Sequence, residues 1–282
     1  MGKLARSWDL VQQSFSILIS DTRLMFFPVI SAISCISISV IMLTGGVLVF
    51  RRQLETWLAA SSGRPSVTQT AWICFFFFYL VNYFIIVFFN VALVSAASDH
   101  LAGGRGTVND ALLVAWKRKG KILQWAVVAA TVGIVLSMLE SRMGWLGRLT
   151  TRLIGTAWTL ASYFVAPVLA AADVSPVEAL YRSASAFRET WGEELVGGFS
   201  FGLIFTLLTL PGVALLFLAG SRGRAGLVAV TALTVAYLIL LSIISSAVRG
   251  IFMAALYRFA TTKQVSAGFS QDDLSSAWRP RE

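Results

Sequence analysis

Residues Ala170 to Trp191 have the sequence AAADVSPVEALYRSASAFRETW, and this segment decides how the rest of the chain is interpreted. An apolar run stops at Asp173, and Ser175-Pro-Val-Glu178 then has the spacing of a capping box with proline at the first helical position. Apolar residues follow on one helical stripe at Val177, Leu180, Tyr181, Ala184, Phe187 and Trp191. Glu178 and Arg182 are four apart on another side, where they can form an ion pair. The segment predicts an amphipathic helix on the surface of a membrane or of a transmembrane bundle.

The composition extends that interpretation to the whole chain. Of the 282 residues, 57% are hydrophobic and 13% are charged, and the mean hydropathy is +0.76. A soluble domain normally carries about a quarter charged residues. We therefore expect an all-α polytopic membrane protein with about six transmembrane helices and amphipathic linking helices. No small-residue cleavage site follows a short apolar core, so the first span is expected to act as its own insertion signal.

Apolar runs divide the chain into three parts. Residues 1–23 have apolar positions at helical spacing and predict an interfacial amphipathic helix, and residues 261–282 form a polar tail. Between them, residues 24–260 form the transmembrane domain. Its predicted spans are 24–50, 71–98, 122–139, 153–172, 195–219 and 227–248. Pro167 should kink the fourth span.

A repeat runs through the transmembrane domain. Residues 96–99 (AASD) and 170–173 (AAAD) each end a span, and residues 107–112 (TVNDAL) then match residues 175–180 (SPVEAL). Thr107-Val-Asn-Asp110 thus predicts a second capping box at the start of a helix. The repeated unit is a span, an amphipathic helix and a second span. The intervening GGRG at residues 103–106 lacks the spacing of a phosphate-binding loop and is interpreted as a flexible linker.

The distribution of basic residues predicts the orientation. Under six spans, the segments on the side of the termini carry 15 Lys and Arg residues, and the opposite loops carry 8. The positive-inside rule therefore places both termini in the cytoplasm of a multi-pass protein of the plasma or inner membrane.

Two sets of residues are candidates for function. Basic residues at the two membrane surfaces are expected to contact anionic lipid headgroups or an acidic protein partner, or else are ordinary anchors at helix ends; they are Arg51, Arg52, Arg142, Arg148, Arg152, Lys117, Arg118 and Lys119. Polar residues within or at the ends of spans are Asn82, Asn90, Glu140, Asp173 and Arg249. The two asparagines are expected to bond to neighbouring helices, and Asp173 is singled out because it coincides with the repeat.

Chemical motifs are few. His100 is the single histidine, no G-x-S-x-G elbow is present, and Cys35 and Cys74 lie in separate apolar runs. We therefore expect no catalytic residues, no cofactor, no metal and no nucleic-acid partner.

Several short motifs resemble those of a bacterial and archaeal family of six-span integral membrane proteins of unknown function. They are RSWDL at 6–10, FFP at 26–28, FFNVAL at 88–93, AW at 157–158, PVL at 167–169 and SPVEALYRSASAFRETWGE at 175–193. The resemblance implies a fold and supplies no catalytic residues. We expect a non-enzymatic membrane scaffold or accessory subunit that contacts lipids and a protein partner or a second copy of itself. The alternative is a transporter or channel for a small solute or lipid.

Overall fold

The computed structural model describes residues 3–59, 69–191, 200–219 and 223–262, and nearly all of them are helical. A short 3-10 turn, Thr22–Met25, connects the first two α-helices. The helices are α1 Lys3–Ser20, α2 Phe26–Ala59, α3 Gln69–Leu101, α4 Val108–Lys117, α5 Lys119–Arg142, α6 Trp145–Ala161, α7 Val165–Ala171, α8 Pro176–Trp191, α9 Ser200–Ala219 and α10 Gly223–Thr262. The predicted polar C-terminal tail lies outside the described residues.

Five segments are long and apolar enough to cross a membrane. They are Thr22–Leu48, Ile73–Leu101, Lys119–Glu140, Gly147–Ala171 and Gly226–Thr262. The predicted fifth span corresponds to α9, whose described apolar stretch is the shorter Ile204–Leu215. The all-α polytopic prediction is confirmed, with five candidate spans and α9 where six were expected. Only Met143 and Gly144 separate α5 from α6, so most of the predicted loop at 140–152 is helical.

Burial is concentrated at one end of the bundle, which we call the packed end. There α1, α4 and α8 meet the adjoining parts of α3, α5, α7 and α10 around Phe27, Leu93, Phe164 and Ile251. The opposite halves of the spans expose apolar side chains, among them Ile41, Leu48, Ile73, Leu153 and Val228. Exposed apolar side chains at this density require an apolar surrounding, which lipid supplies.

Helix α1 belongs to the packed end. Val11, Ser14, Ile17 and Leu18 are buried on one side of α1, which packs mainly against α10 and α9. Val11 and Leu18 of the periodic stripe predicted for residues 1–23 therefore face protein, whereas Phe15 of the same stripe is exposed.

A break between α6 and α7 interrupts the fourth span at residues 162–164. Pro167 has no N–H to donate to the carbonyl of residue 163, and its ring crowds that carbonyl. The helix accordingly stops one turn earlier, close to the kink expected from the sequence. The Phe164 N–H donates instead to the Ser183 hydroxyl of α8, at 2.9 Å in a buried position.

The buried side of α8 differs from the predicted stripe. Ala179 and Ser183 are fully buried, whereas Val177 is 75% exposed and Tyr181 is 72% exposed. The predicted apolar stripe and the buried side of α8 therefore overlap only in part, since Phe187 of the stripe packs against Phe164 while Val177 and Tyr181 turn outward. Small side chains let α8 approach the break closely enough for Ser183 to accept from Phe164.

The two predicted capping sites lie at helix starts. Thr107 accepts from the Asp110 N–H while the Asp110 carboxylate accepts from the Thr107 N–H, which completes a capping box for α4. Ser175 accepts from the Glu178 N–H at 3.3 Å in the same way. The Glu178 carboxylate forms the expected ion pair with Arg182 at 2.7 Å.

Helix α10 is continuous for 40 residues and makes two close approaches. Near the middle of α9, the Tyr237 hydroxyl donates to the Leu208 carbonyl at 2.6 Å, beside Pro211. At the packed end, Gly250 lies against Leu93 of α3 with no room for a Cβ atom. These contacts fix α10 between α9 and α3.

Candidate functional site: a polar cavity between the spans

A cavity of about 420 Å³ lies between four of the candidate spans. We call it the midspan cavity, because its lining residues lie within the spans at residues 83–94, 125, 162–166 and 242–253. Val87, Val94, Val165, Ala166 and Met253 supply apolar walls. Trp125 of α5 lines it as well and stacks on Trp158 of α6, with ring centroids 5.6 Å apart. The volume is within the usual range of small-ligand sites.

The polar part of the midspan cavity comes mainly from α10. Ser242, Ser245, Ser246 and Arg249 all line it, and they are spaced at i, i+3, i+4 and i+7. This spacing places side chains on one side of a helix. Hydroxyl groups and a guanidinium therefore form one polar strip on an otherwise apolar span.

Helix α3 and the break in the fourth span complete the polar lining. Asn90 and Tyr83 enter from α3, while Ser162 and Tyr163 come from the residues between α6 and α7. Non-helical backbone at membrane depth is tolerated where it is covered by protein or lines a cavity. The break meets both conditions, since Ser183 of α8 covers one side of it and the cavity lies on another.

The structure brings together only two of the five predicted intramembrane polar residues. Asn90 and Arg249 share the midspan cavity. Asn82 instead donates to the Phe78 carbonyl of its own helix at 2.9 Å, while the Cys35 thiol of α2 approaches the Asn82 carbonyl. Glu140 pairs with Arg152 at 3.1 Å, and Asp173 is exposed between α7 and α8.

The basic candidates at the α4–α5 junction have distinct roles. Arg118 is half-buried and donates to the carbonyls of Leu169 and Ala171, which end α7. It thereby supplies donors to carbonyls that a helix end leaves without partners. Lys119 places its ammonium 3.9 Å from the centre of the Trp116 ring, and Lys117 is exposed beside them.

The arginines predicted for the opposite surface do not form one described cluster. Arg51 and Arg148 are exposed, and Arg152 is paired with Glu140. Arg52 lies in α2 and Arg142 ends α5, at positions whose side chains are outside the described part of the structure.

The GGRG segment wraps a carboxylate of its own chain. The Gly106 N–H donates to the Asp99 carboxylate at 2.7 Å, and Gly103 has a positive φ of 80°. A Cβ atom at Gly104 would overlap the Asp99 side chain. His100 next to it lies 3.4 Å from the Asp21 carboxylate of the α1–α2 connection. These glycines thus serve a local turn, which the linker interpretation missed, and they line a second hollow of about 760 Å³ at this end.

Within the described ranges, no group of three or more His, Cys, Asp or Glu side chains could hold a metal ion. The midspan cavity offers hydroxyl, amide and guanidinium groups instead. Such a set binds and orients polar groups by hydrogen bonding.

Sequence reasoning missed the three serines of α10. Serines are common in apolar spans and carry little information singly, but their spacing with Arg249 was a usable signal. The contributions of Ser162 and Tyr163 depend on where the fourth span breaks, which Pro167 indicates only to within a turn.

Comparison with known proteins gives a family without an assigned activity. No curated protein and no solved structure matches this chain. One family model, described as a family of unknown function, matches residues 69–269, which is more than half of the chain and includes every residue of the midspan cavity. The resemblance to an uncharacterised membrane family is thereby confirmed, and the chain belongs to the family of unknown function DUF6159.

Proposed function

We propose that this protein is a non-enzymatic membrane carrier that takes a small polar solute, or the headgroup of a lipid, into the midspan cavity. The observation that carries the proposal is the cavity itself, with its polar strip from α10 inside the spans. This favours the alternative function expected from the sequence over the scaffold.

The energetics of the cavity support binding. A hydroxyl or amide without a hydrogen-bond partner costs several kcal/mol in hydrocarbon, on the order of 4–8 for complete transfer. Hydroxyl, amide and guanidinium groups line the midspan cavity, and a polar cavity of this size is expected to hold water or a polar ligand. A scaffold that only anchors partners does not require a cavity with a polar lining between its spans.

The break in the fourth span supports movement of the ligand. Discontinuous helices that border a central site are common in membrane carriers. Here α7 is seven residues long, and the α6–α7 break borders the cavity. Rotation about residues 162–164 would change the shape of the cavity without breaking the regular hydrogen bonds of α3, α5 or α10.

Cysteine accessibility tests the proposal. In a variant with Cys35 and Cys74 replaced by serine, Ser245→Cys adds a thiol in the cavity, and Leu240→Cys adds a matched one on an exposed apolar position of the same helix. We expect a membrane-impermeant thiol reagent to modify position 245 in both right-side-out and inside-out vesicles, because a carrier opens its site to both sides. Position 240 should stay unmodified in hydrocarbon.

Modification of position 245 from neither side would contradict a hydrated cavity. Modification from one side alone would contradict transport and leave a binding protein. A Ser246→Phe variant, which fills the cavity, should slow the modification of position 245.

The second candidate is the scaffold or accessory subunit, and one observation favours it. Helix α4 exposes Leu113 and Trp116 beside Lys117 and Lys119, a combination of apolar, aromatic and basic residues that suits an anionic lipid surface or an acidic partner. Purification in mild detergent tests it by mass spectrometry. A stoichiometric protein companion that is lost in a Trp116→Ala, Lys117→Ala, Lys119→Ala variant would support this candidate, and a chain purified without a companion would contradict it.

A further inference from the structure

We infer that the ligand of the midspan cavity carries an oxyanion, such as a phosphate or carboxylate group, and that Arg249 is its counter-ion. The inference rests on the proposed function, because it names the ligand class for the same cavity. It is carried by the charge balance of the lining and by the spacing of the polar groups on α10.

The lining of the midspan cavity has a net positive charge. The fifteen residues that line the midspan cavity include one arginine and no aspartate, glutamate, lysine or histidine. Arg249 is exposed in the structure, and an arginine inside a candidate span normally faces a partner or a water-filled path. Within the described lining, an anionic ligand would supply the missing charge.

The polar groups that α10 contributes to the midspan cavity lie close to Arg249 along the helix. Arg249 lies one turn after Ser245 and Ser246 on α10, and these three residues share the cavity with Asn90 of α3. A guanidinium offers planar pairs of N–H donors that match two oxygens of a phosphate or carboxylate. Hydroxyl and amide groups one turn away can donate to the remaining oxygens. The site therefore offers a cation and several neutral donors, which is the set that an oxyanion requires.

The surroundings fit two sources of the oxyanion. A cavity of about 420 Å³ accommodates a phosphate-sized group or a lipid headgroup, while a whole lipid would need its acyl chains outside. The opposite halves of the spans expose apolar side chains along which such chains could lie. A lipid phosphate and a free anion make the same contacts with Arg249, so the experiment separates them.

The test uses the full chain reconstituted in phosphatidylcholine nanodiscs. Inorganic phosphate is added in one arm and followed by thermal shift, and phosphatidylglycerol is included at low mole fraction in the other and followed by native mass spectrometry. We expect one probe to bind the wild type. Arg249→Gln should weaken that binding at least tenfold, and Arg249→Lys should retain part of it.

The matched control is Arg258→Gln, which removes an arginine from the same helix outside the cavity lining and should leave binding unchanged. Binding of neither probe to the wild type, or equal binding by wild type and Arg249→Gln, would overturn the inference. If Arg249→Gln does not fold, the comparison between Arg249→Lys and Ser245→Val decides in the same way, since both should weaken binding.

The two proposals fail differently. If position 245 is accessible to the thiol reagent but Arg249→Gln binds normally, the cavity functions and the ligand class is wrong. If position 245 is inaccessible from both sides, the proposed function itself is wrong.

Discussion

Ser183 is a fully buried hydroxyl on α8 that accepts the Phe164 N–H at the break in the fourth span. Ser183→Ala leaves this buried donor without its acceptor, which typically costs about 1–3 kcal/mol. We expect a lower thermal unfolding midpoint in detergent and faster hydrogen exchange at residues 162–168. Ser37→Ala, at an exposed position of α2, is the matched control and should change neither. Unaltered exchange in Ser183→Ala would show that the hydroxyl does not hold the break.

Gly250 is a residue at which α10 closely approaches α3. A Cβ atom there would overlap Leu93 Cδ2, and Leu93 is fully buried. Overpacking of this kind costs about 1–3 kcal/mol, so Gly250→Ala should lower the unfolding midpoint. Gly46→Ala, where nothing lies within 4 Å, should be neutral or slightly stabilising. The double variant with Leu93→Ala should lose less than the sum of the two single losses, and an additive loss would contradict the packing argument.

The sequence identified Asn90 and Arg249 individually as polar residues of the spans but did not predict that they share a cavity. They are 159 positions apart in the chain, and only the packing of α10 against α3 places both in one cavity. The same limit applies to Arg118, whose link to the carbonyls of Leu169 and Ala171 could not be read from its basic cluster. Local chemistry was visible, whereas long-range partners were not.

Helix α4 begins with a capping box that depends on pH. The Thr107 N–H and hydroxyl both donate to the Asp110 carboxylate, and these bonds lower the pKa of Asp110 below its usual value. A lowered pKa stabilises the helix start above the usual pKa, and the contribution is lost as pH falls through the lowered value. Protection of the first turn of α4 from hydrogen exchange should therefore be complete above the usual pKa of aspartate, about 3.9, and fall as the pH drops below it.

Asp110→Asn supplies the reference for that measurement. In this variant, the amides of the first turn of α4 should be less protected from hydrogen exchange at neutral pH than in the wild type. After correction for intrinsic exchange rates, their protection should not fall further on acidification. A wild type whose first turn of α4 keeps constant protection over this range would contradict the role assigned to the carboxylate.

Elements were predicted better than their faces. The capping residues Thr107 and Ser175 fixed the starts of α4 and α8, because a side-chain acceptor at a helix start acts locally. The apolar stripe of α8 did not identify its buried side, since Val177 and Tyr181 of the stripe are exposed while the structure buries Ala179 and Ser183. Close approach to the break selects small side chains, and periodicity does not contain that information.

The whole molecule has its linking helices on one side. His100 approaches Asp21, and Arg118 reaches the end of α7, so the connections after α1, α3 and α7 meet at the packed end. The excess of Lys and Arg in these segments leads us to propose that this end is cytoplasmic. In a cysteine-free background, Asn109→Cys and Val177→Cys should be labelled only in inside-out vesicles. Gly144→Cys, in the turn between α5 and α6, should be labelled only in right-side-out vesicles.

The reverse labelling pattern would invert the orientation, and labelling of positions 109 and 144 from the same side would contradict the single crossing by α5 between them. The membrane character of the chain followed from composition alone, because few soluble proteins are so poor in charge. Its internal arrangement did not, since lipid and helix neighbours are equally apolar and the hydropathy of a residue does not say which it touches.

The uneven packing of the bundle has a consequence for how the chain can vary. Around Phe27, Leu93 and Ile251 each side chain fills a defined space between several helices, so exchanges of size are costly. Ile41, Leu153 and Val228 are exposed, and in a bilayer their neighbours would be fluid acyl chains, which adapt to any apolar group. Substitutions should therefore accumulate faster in the exposed halves of the spans than at the packed end. Within this family, sequence variability should accordingly differ between the residues in the two leaflets of the bilayer.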